Sequence, residues 1–145
     1  MDIQYNAKIT VNSVIDNLTD AGLPDGDPEI NIFTVDGIYN HLDDVTEMLY
    51  TEKNEDNITV CTLRIEKGDV ALSRRGAVEC RIMFSEGATC KTLYQVPPYS
   101  FDMSVSTLKI RNSLSATGGE LQLIYNMNIG GQDKKVRMKI NVRPK

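Results

Sequence analysis

Apolar side chains recur at every second position through most of this chain, and that rhythm restricts its fold more than any other feature. Ile3, Tyr5, Ala7, Ile9 and Val11 alternate with Gln4, Asn6, Lys8, Thr10 and Asn12. Leu121, Leu123, Tyr125, Met127 and Ile129 repeat the pattern, as do Val136, Met138, Ile140 and Val142 against Lys135, Arg137, Lys139, Asn141 and Arg143. Successive side chains of a β-strand point to opposite faces, so each block reads as a strand with one face buried and the other in water. Helical periodicity of comparable length is absent. The short candidate from His41 to Thr51 fits a strand at least as well.

Between these blocks stand the residues that turn a chain. DNLTDAGLPDGDPE, residues 16–29, is rich in Asp, Gly and Pro and reads as a surface loop. Gly68-Asp69 reads as a two-residue hairpin loop, which sets Ile65 opposite Leu72. A three-residue loop, Arg74-Arg75-Gly76, then sets Leu72 opposite Val78 and Val70 opposite Cys80, and it places both arginines at a turn tip on the rim of the sheet. A further turn at Ser85-Glu86-Gly87-Ala88 brings Cys80 opposite Leu93 or Tyr94, not opposite Cys90. Pro97-Pro98 interrupts a strand, because proline has no N–H for the ladder. Parity slips between Val105 and Leu108, which calls for a bulge near Ser106 or Thr107.

Many short antiparallel strands in one chain must hide their apolar faces and manage their edges, and closing the sheet on itself does both. The expectation is an all-β protein: an antiparallel, meander-type, closed or nearly closed barrel of about 8 to 10 strands. At 145 residues the chain suits one domain, 1–145, with enough surface to bury for an independent core.

Charge and composition narrow the function classes. A net charge of -4 gives no global field for phosphates or anionic lipid, so neither DNA nor a membrane is an expected partner. MDIQYNAKIT lacks an apolar signal core and no apolar run approaches a membrane span, so a cytoplasmic location is expected. Cys61, Cys80 and Cys90 are an odd set in a chain without an export signal, so reduced thiols are expected. With His41 they lack zinc spacing, and Asp25, Asp27 and Glu29 lack the glycine and terminal glutamate of a calcium loop. No cofactor or metal is called for. His41 with Asp43 and Asp44 offers a base and carboxylates, but no motif supplies a nucleophile beside them, so an enzyme is the least favoured reading.

The run ITVCTLRIEKGDVALSRRGAVECRIMFSEG, then LYQVPPYSFDMSVST and the final GGELQLIYNMNIGGQDKKVRMKINVR, resembles the YwiB-like family of uncharacterised bacterial proteins, described as calycin-like β-barrels. The most specific pieces are Arg-x-Gly-Ala-Val at Arg74 to Val78, Met-Phe-x-Glu-Gly at Met83 to Gly87, and Phe-acid-Met at Phe101 to Met103. The resemblance covers about residues 45–143. It implies a barrel and supplies no activity. Two departures stand out: Val96-Pro97-Pro98-Tyr99 replaces the family's Thr-Pro-Tyr-Gly, and the tryptophan frequent on the first strand of lipocalin-like proteins is missing.

Two candidate surfaces follow. Tyr99, Phe101, Met103 and Tyr125 share the inward parity and would line an interior that holds a small, mostly apolar ligand, with Arg74 and Arg75 as an anion-binding rim beside Glu79 and Arg81. Lys135, Arg137, Lys139 and Arg143 form an outward basic stripe that could meet a protein or RNA partner, or serve only to keep sheets apart. A homodimer is also compatible with this reading.

Overall fold

A computed structural model of the chain describes residues 2–145, and within them the chain forms ten strands. They are β1 (Ile3–Asn17), β2 (Glu29–His41), β3 (Val45–Asn54), β4 (Asn57–Glu66), β5 (Asp69–Gly76), β6 (Cys80–Phe84), β7 (Thr89–Val96), β8 (Tyr99–Asn112), β9 (Gly119–Ile129) and β10 (Gln132–Pro144). Each lies antiparallel to its sequence neighbour, and β1 pairs with β10 from Ala7↔Pro144 to Asn17↔Lys134. The result is an all-β meander wound into a nearly closed barrel. The segment from His41 to Thr51 is a turn followed by strand, and the expected bulge falls between Thr107 and Lys109, leaving Leu108 out of the ladder.

Two turns differ from the sequence reading, for local reasons. Lys67 and Gly68 both take positive φ, 53° and 82°, the pair of left-handed conformations that matches strand twist in a two-residue hairpin. The loop therefore sits one residue earlier than Gly68-Asp69, and Ile65 faces Val70 instead of Leu72. The loop after β5 is also not Arg74-Arg75-Gly76. β4 extends the ladder as far as Thr59↔Gly76, the Ala77 N–H donates to the Ile58 carbonyl at 3.0 Å, and the Val78 N–H donates to Thr59 Oγ1 at 3.3 Å. Held this way, β5 runs on through Gly76, and Leu72 pairs with Ile82 and Arg74 with Cys80. Arg74 thus keeps the inward parity of Val70 and Leu72.

Inward side chains fill the middle of the barrel. Ile9, Tyr39, Leu63, Phe84, Leu121 and Ile140 are among those shut off from solvent. Phe84 reaches Tyr125 with ring centroids 4.9 Å apart. Near the opposite end the Tyr39 hydroxyl donates to the Ser115 carbonyl at 2.7 Å, so a buried phenol is satisfied while its ring packs in the core.

The wall is incomplete at two seams. β2 and β3 pair only from Gly37↔Tyr50 to His41↔Thr46, so Glu29–Asp36 leaves β3 behind. β6 and β7 are joined by their turn, where the Ala88 N–H donates to the Ser85 carbonyl, and by one bridge, Glu79↔Gln95, with reciprocal bonds of 2.8 and 2.9 Å. Between those two ties no further rung forms among the described residues.

Candidate functional site

The second seam lies beside an unusual piece of interior. On β5, Arg74 sits between Cys61 of β4 and Cys80 of β6. Its Nη2 donates to Glu52 Oε2 across β4, and the two side chains are only 23% and 27% exposed. Both obey inward parity, Glu52 following Met48 and Tyr50 on β3. Burial opposes the charge on Arg74, but the Glu52 carboxylate, followed by the Cys61 sulfur, outweighs it and holds the guanidinium even more firmly protonated than usual. The Nε of Arg74 is buried without a partner.

The groups around this pair are neutral. Burial, with Glu52 adding to it, pushes the Cys61 thiol from 9.0 up to about 11. Burial likewise raises Cys80, Tyr50 and Tyr125 above their ordinary ranges. Neither Cys61 nor Cys80 is therefore a nucleophile at neutral pH, since the thiolate is the reactive form.

Outside this pair, the β6–β7 seam opens into a groove of about 510 Å³. Arg74, Arg75 and Arg81 line it with a single carboxylate, Glu79, and the apolar surface comes from Leu93 beside Thr92. The bridge at Glu79 and Gln95 shows which backbone groups point across the seam. Bonded pairs alternate in an antiparallel ladder, so Arg81 and Leu93 present their N–H and C=O groups to the groove. Guanidinium and backbone N–H groups in one place make an anion-binding surface.

The proposed interior residues separate. Met103 and Tyr125 are buried in the core, whereas Tyr99 and Phe101 are 67% and 43% exposed and do not line the interior. Both keep inward parity, but pairing with β9 begins only at Met103↔Ile129, so the first residues of β8 outrun the wall that would have covered them. Arg74 is an interior residue at the seam, not a tip of the rim, while Arg75 is exposed opposite Val60 on the outer face. His41 stacks on Tyr39, and its Nδ1 lies 3.3 Å from Thr46 Oγ1.

On the outside, Arg137 and Lys139 of the basic stripe are exposed, and Arg137 lies 3.4 Å from Asp16 Oδ2. The registers align Lys109 with Arg137 across Ile124, and Arg111 with Lys139 across Gln122. Those two residues of β8 were missed in the sequence, as were Leu93 and Gln95 as lining of the groove. Glu52 carries a signal in the sequence: a carboxylate occupying the apolar parity of its strand.

The protein-family model described as "Domain of unknown function (DUF1934)" matches residues 21–141. The uncharacterized beta-barrel protein YwiB of Bacillus subtilis (strain 168) is 24% identical over 110 residues, covering 76% of this chain and 78% of that protein. The crystal structure of the ywiB protein from Bacillus subtilis superimposes with a TM-score of 0.85 at 22% identity, over 98% of this chain and 93% of that one. The ten-stranded nearly closed barrel is therefore a shared fold, and the chain belongs to the DUF1934 family of β-barrel proteins.

Proposed function

We propose that this protein is a non-enzymatic binding barrel that takes a small organic anion, mostly apolar with one charged end, in the groove at the β6–β7 seam. The observation that carries this reading is the convergence of Arg74, Arg75 and Arg81 on one groove of a chain whose net charge is -4. Side chains fill the middle of the barrel, so the ligand lies at the seam, its charged end on the guanidinium forks and its apolar part against Leu93. Calorimetric titration with octanoate and with phenyl phosphate tests it. Binding should weaken about tenfold or more in Arg75→Ala/Arg81→Ala, the loss of one or two charge-assisted bonds, and persist in Arg143→Ala. Equal affinity in all three proteins, or no binding of either anion, contradicts the reading.

A second reading is favoured by the cations that β8 adds to the stripe on β10. Lys109, Arg111, Arg137 and Lys139 form a basic face suited to an RNA or acidic protein partner. Reversing Arg137 and Lys139 to glutamate should abolish retention on an RNA column, and unchanged retention counts against this role.

A further inference from the structure

The first seam leaves β2 with a free edge. In the β2–β3 register the Leu42 N–H donates to the Val45 carbonyl, which marks the even-numbered residues of β2 as those whose backbone groups point toward β3. The other side of the barrel agrees. The Lys145 N–H donates to the Asn6 carbonyl, so even-numbered residues of β1 face β10 and odd-numbered ones bond β2. Beyond Gly37, Ile30, Ile32 and Thr34 therefore direct their N–H and C=O groups away from β1, and among the described residues no strand is in register opposite them, whereas Asp36 still flanks the Gly37↔Tyr50 rung with β3.

Natural barrels cover or charge such an edge, because it is a template for another strand. Here the outward side chains beside it are apolar: Ile30 and Ile32 are 61% and 62% exposed, and Leu23 of the adjoining loop is 63% exposed. The loop that leads into the edge is acidic, while at the far end Asp36 is paired with Lys8 and Lys145. Between Lys8 and Lys53 the sequence has no lysine or arginine, and ten aspartates and glutamates fall there. Asp20, Asp25, Asp27 and Glu29 are all exposed on the loop that leads into the edge.

We infer that the β2 edge from Ile30 to Thr34 is a docking site for an extended polypeptide segment of alternating apolar and basic side chains, which adds to the barrel as a strand. Main-chain bonds to Ile30, Ile32 and Thr34 supply affinity, apolar side chains of the incoming strand cover Ile30 and Ile32, and its lysines or arginines meet the acidic loop. A second copy of the chain fits less well. Antiparallel self-pairing of this edge sets Glu29 near Asp36 and brings two acidic loops together.

The test uses the whole chain and a synthetic peptide of alternating lysine and valine. Its control is the same sequence N-methylated at alternate backbone positions, which keeps the charge and removes ladder donors. Amide exchange should slow on binding at Ile30, Ile32 and Thr34, while Asn31, Phe33 and Val35, already bonded to β1, change little. The N-methylated peptide should bind about tenfold more weakly or worse. Thr34→Pro, which removes an outward N–H at an edge where proline is tolerated, should lose binding that Thr34→Val keeps. Equal binding of the two peptides overturns the inference whether or not Thr34→Pro folds. So does protection of the same amides by protein concentration alone, which would show that a second copy occupies the edge.

Discussion

The guanidinium of Arg74 reaches across β4 to the carboxylate of Glu52, so a cation and an anion from strands β5 and β3 meet on the inner face of an otherwise apolar wall. Water covers little of either side chain, which makes the pair costly to break and costly to keep.

Removing one partner should therefore cost more than removing both. Glu52→Gln leaves a largely buried positive charge and should lower stability by about 2–4 kcal/mol. Glu52→Gln combined with Arg74→Met should recover much of that loss. Urea unfolding midpoints of the two proteins check the order, and equal losses would mean that the pair is solvated.

Alkaline unfolding should begin earlier than for a barrel without buried thiols and phenols. Cys61 in the folded chain titrates near 11 against an ordinary 9.0, so above pH 9 the unfolded chain loses its proton first and the folded state is undermined. Stability from this group is intact below pH 9, falls as pH climbs toward 11, and the loss levels off at about 2–3 kcal/mol. Tyr50 and Tyr125, raised by burial, extend the same trend to higher pH. Cys61→Ser/Cys80→Ser should flatten the first part of the profile, measured as urea midpoint against pH.

Gly76→Ala should be severe for a substitution of one methyl. Gly76 has φ of 124° and an added Cβ would lie 2.3 Å from the Ile58 carbonyl oxygen, so both backbone strain and a clash oppose it. A loss of about 2–4 kcal/mol is expected. The neighbouring half-buried Ala77 already carries a Cβ without such a conflict, and Ala77→Ser is the control.

Core and rim aromatics should separate cleanly by truncation. Phe84 has no exposed surface and packs on Tyr125, so Phe84→Ala should cost about 3–5 kcal/mol. Phe101, 43% exposed, should cost within about 1 kcal/mol. Thermal unfolding midpoints distinguish the two.

The fold was legible because parity and turns carry it. The alternation through Ile9, Leu121 and Ile140 names the buried face, and the bulge near Thr107 shows in the slip to Leu108. Register was harder. Lys67 in a left-handed conformation moved one turn by a residue, and the reach of β4 to Gly76 moved the next loop past both arginines. Sequence parity already put Arg74 on the inner face; what argued it onto a rim was a turn assignment that long-range pairing with β4 overrode. Tyr99 and Phe101 failed differently, since parity says which way a side chain points but not whether a wall stands opposite. The seams themselves are invisible in a local pattern, because they arise where two strands far along their ladders diverge.

The most direct measurement of the account is a nitrogen–proton correlation spectrum of the labelled protein titrated with octanoate. The account predicts shift changes confined to the amides of residues 73–81 and 92–95, with Arg81 and Leu93 moving most, and their loss in Arg75→Ala/Arg81→Ala. Changes centred instead on β10, or none anywhere at saturating anion, would contradict the claim that the β6–β7 groove binds an organic anion.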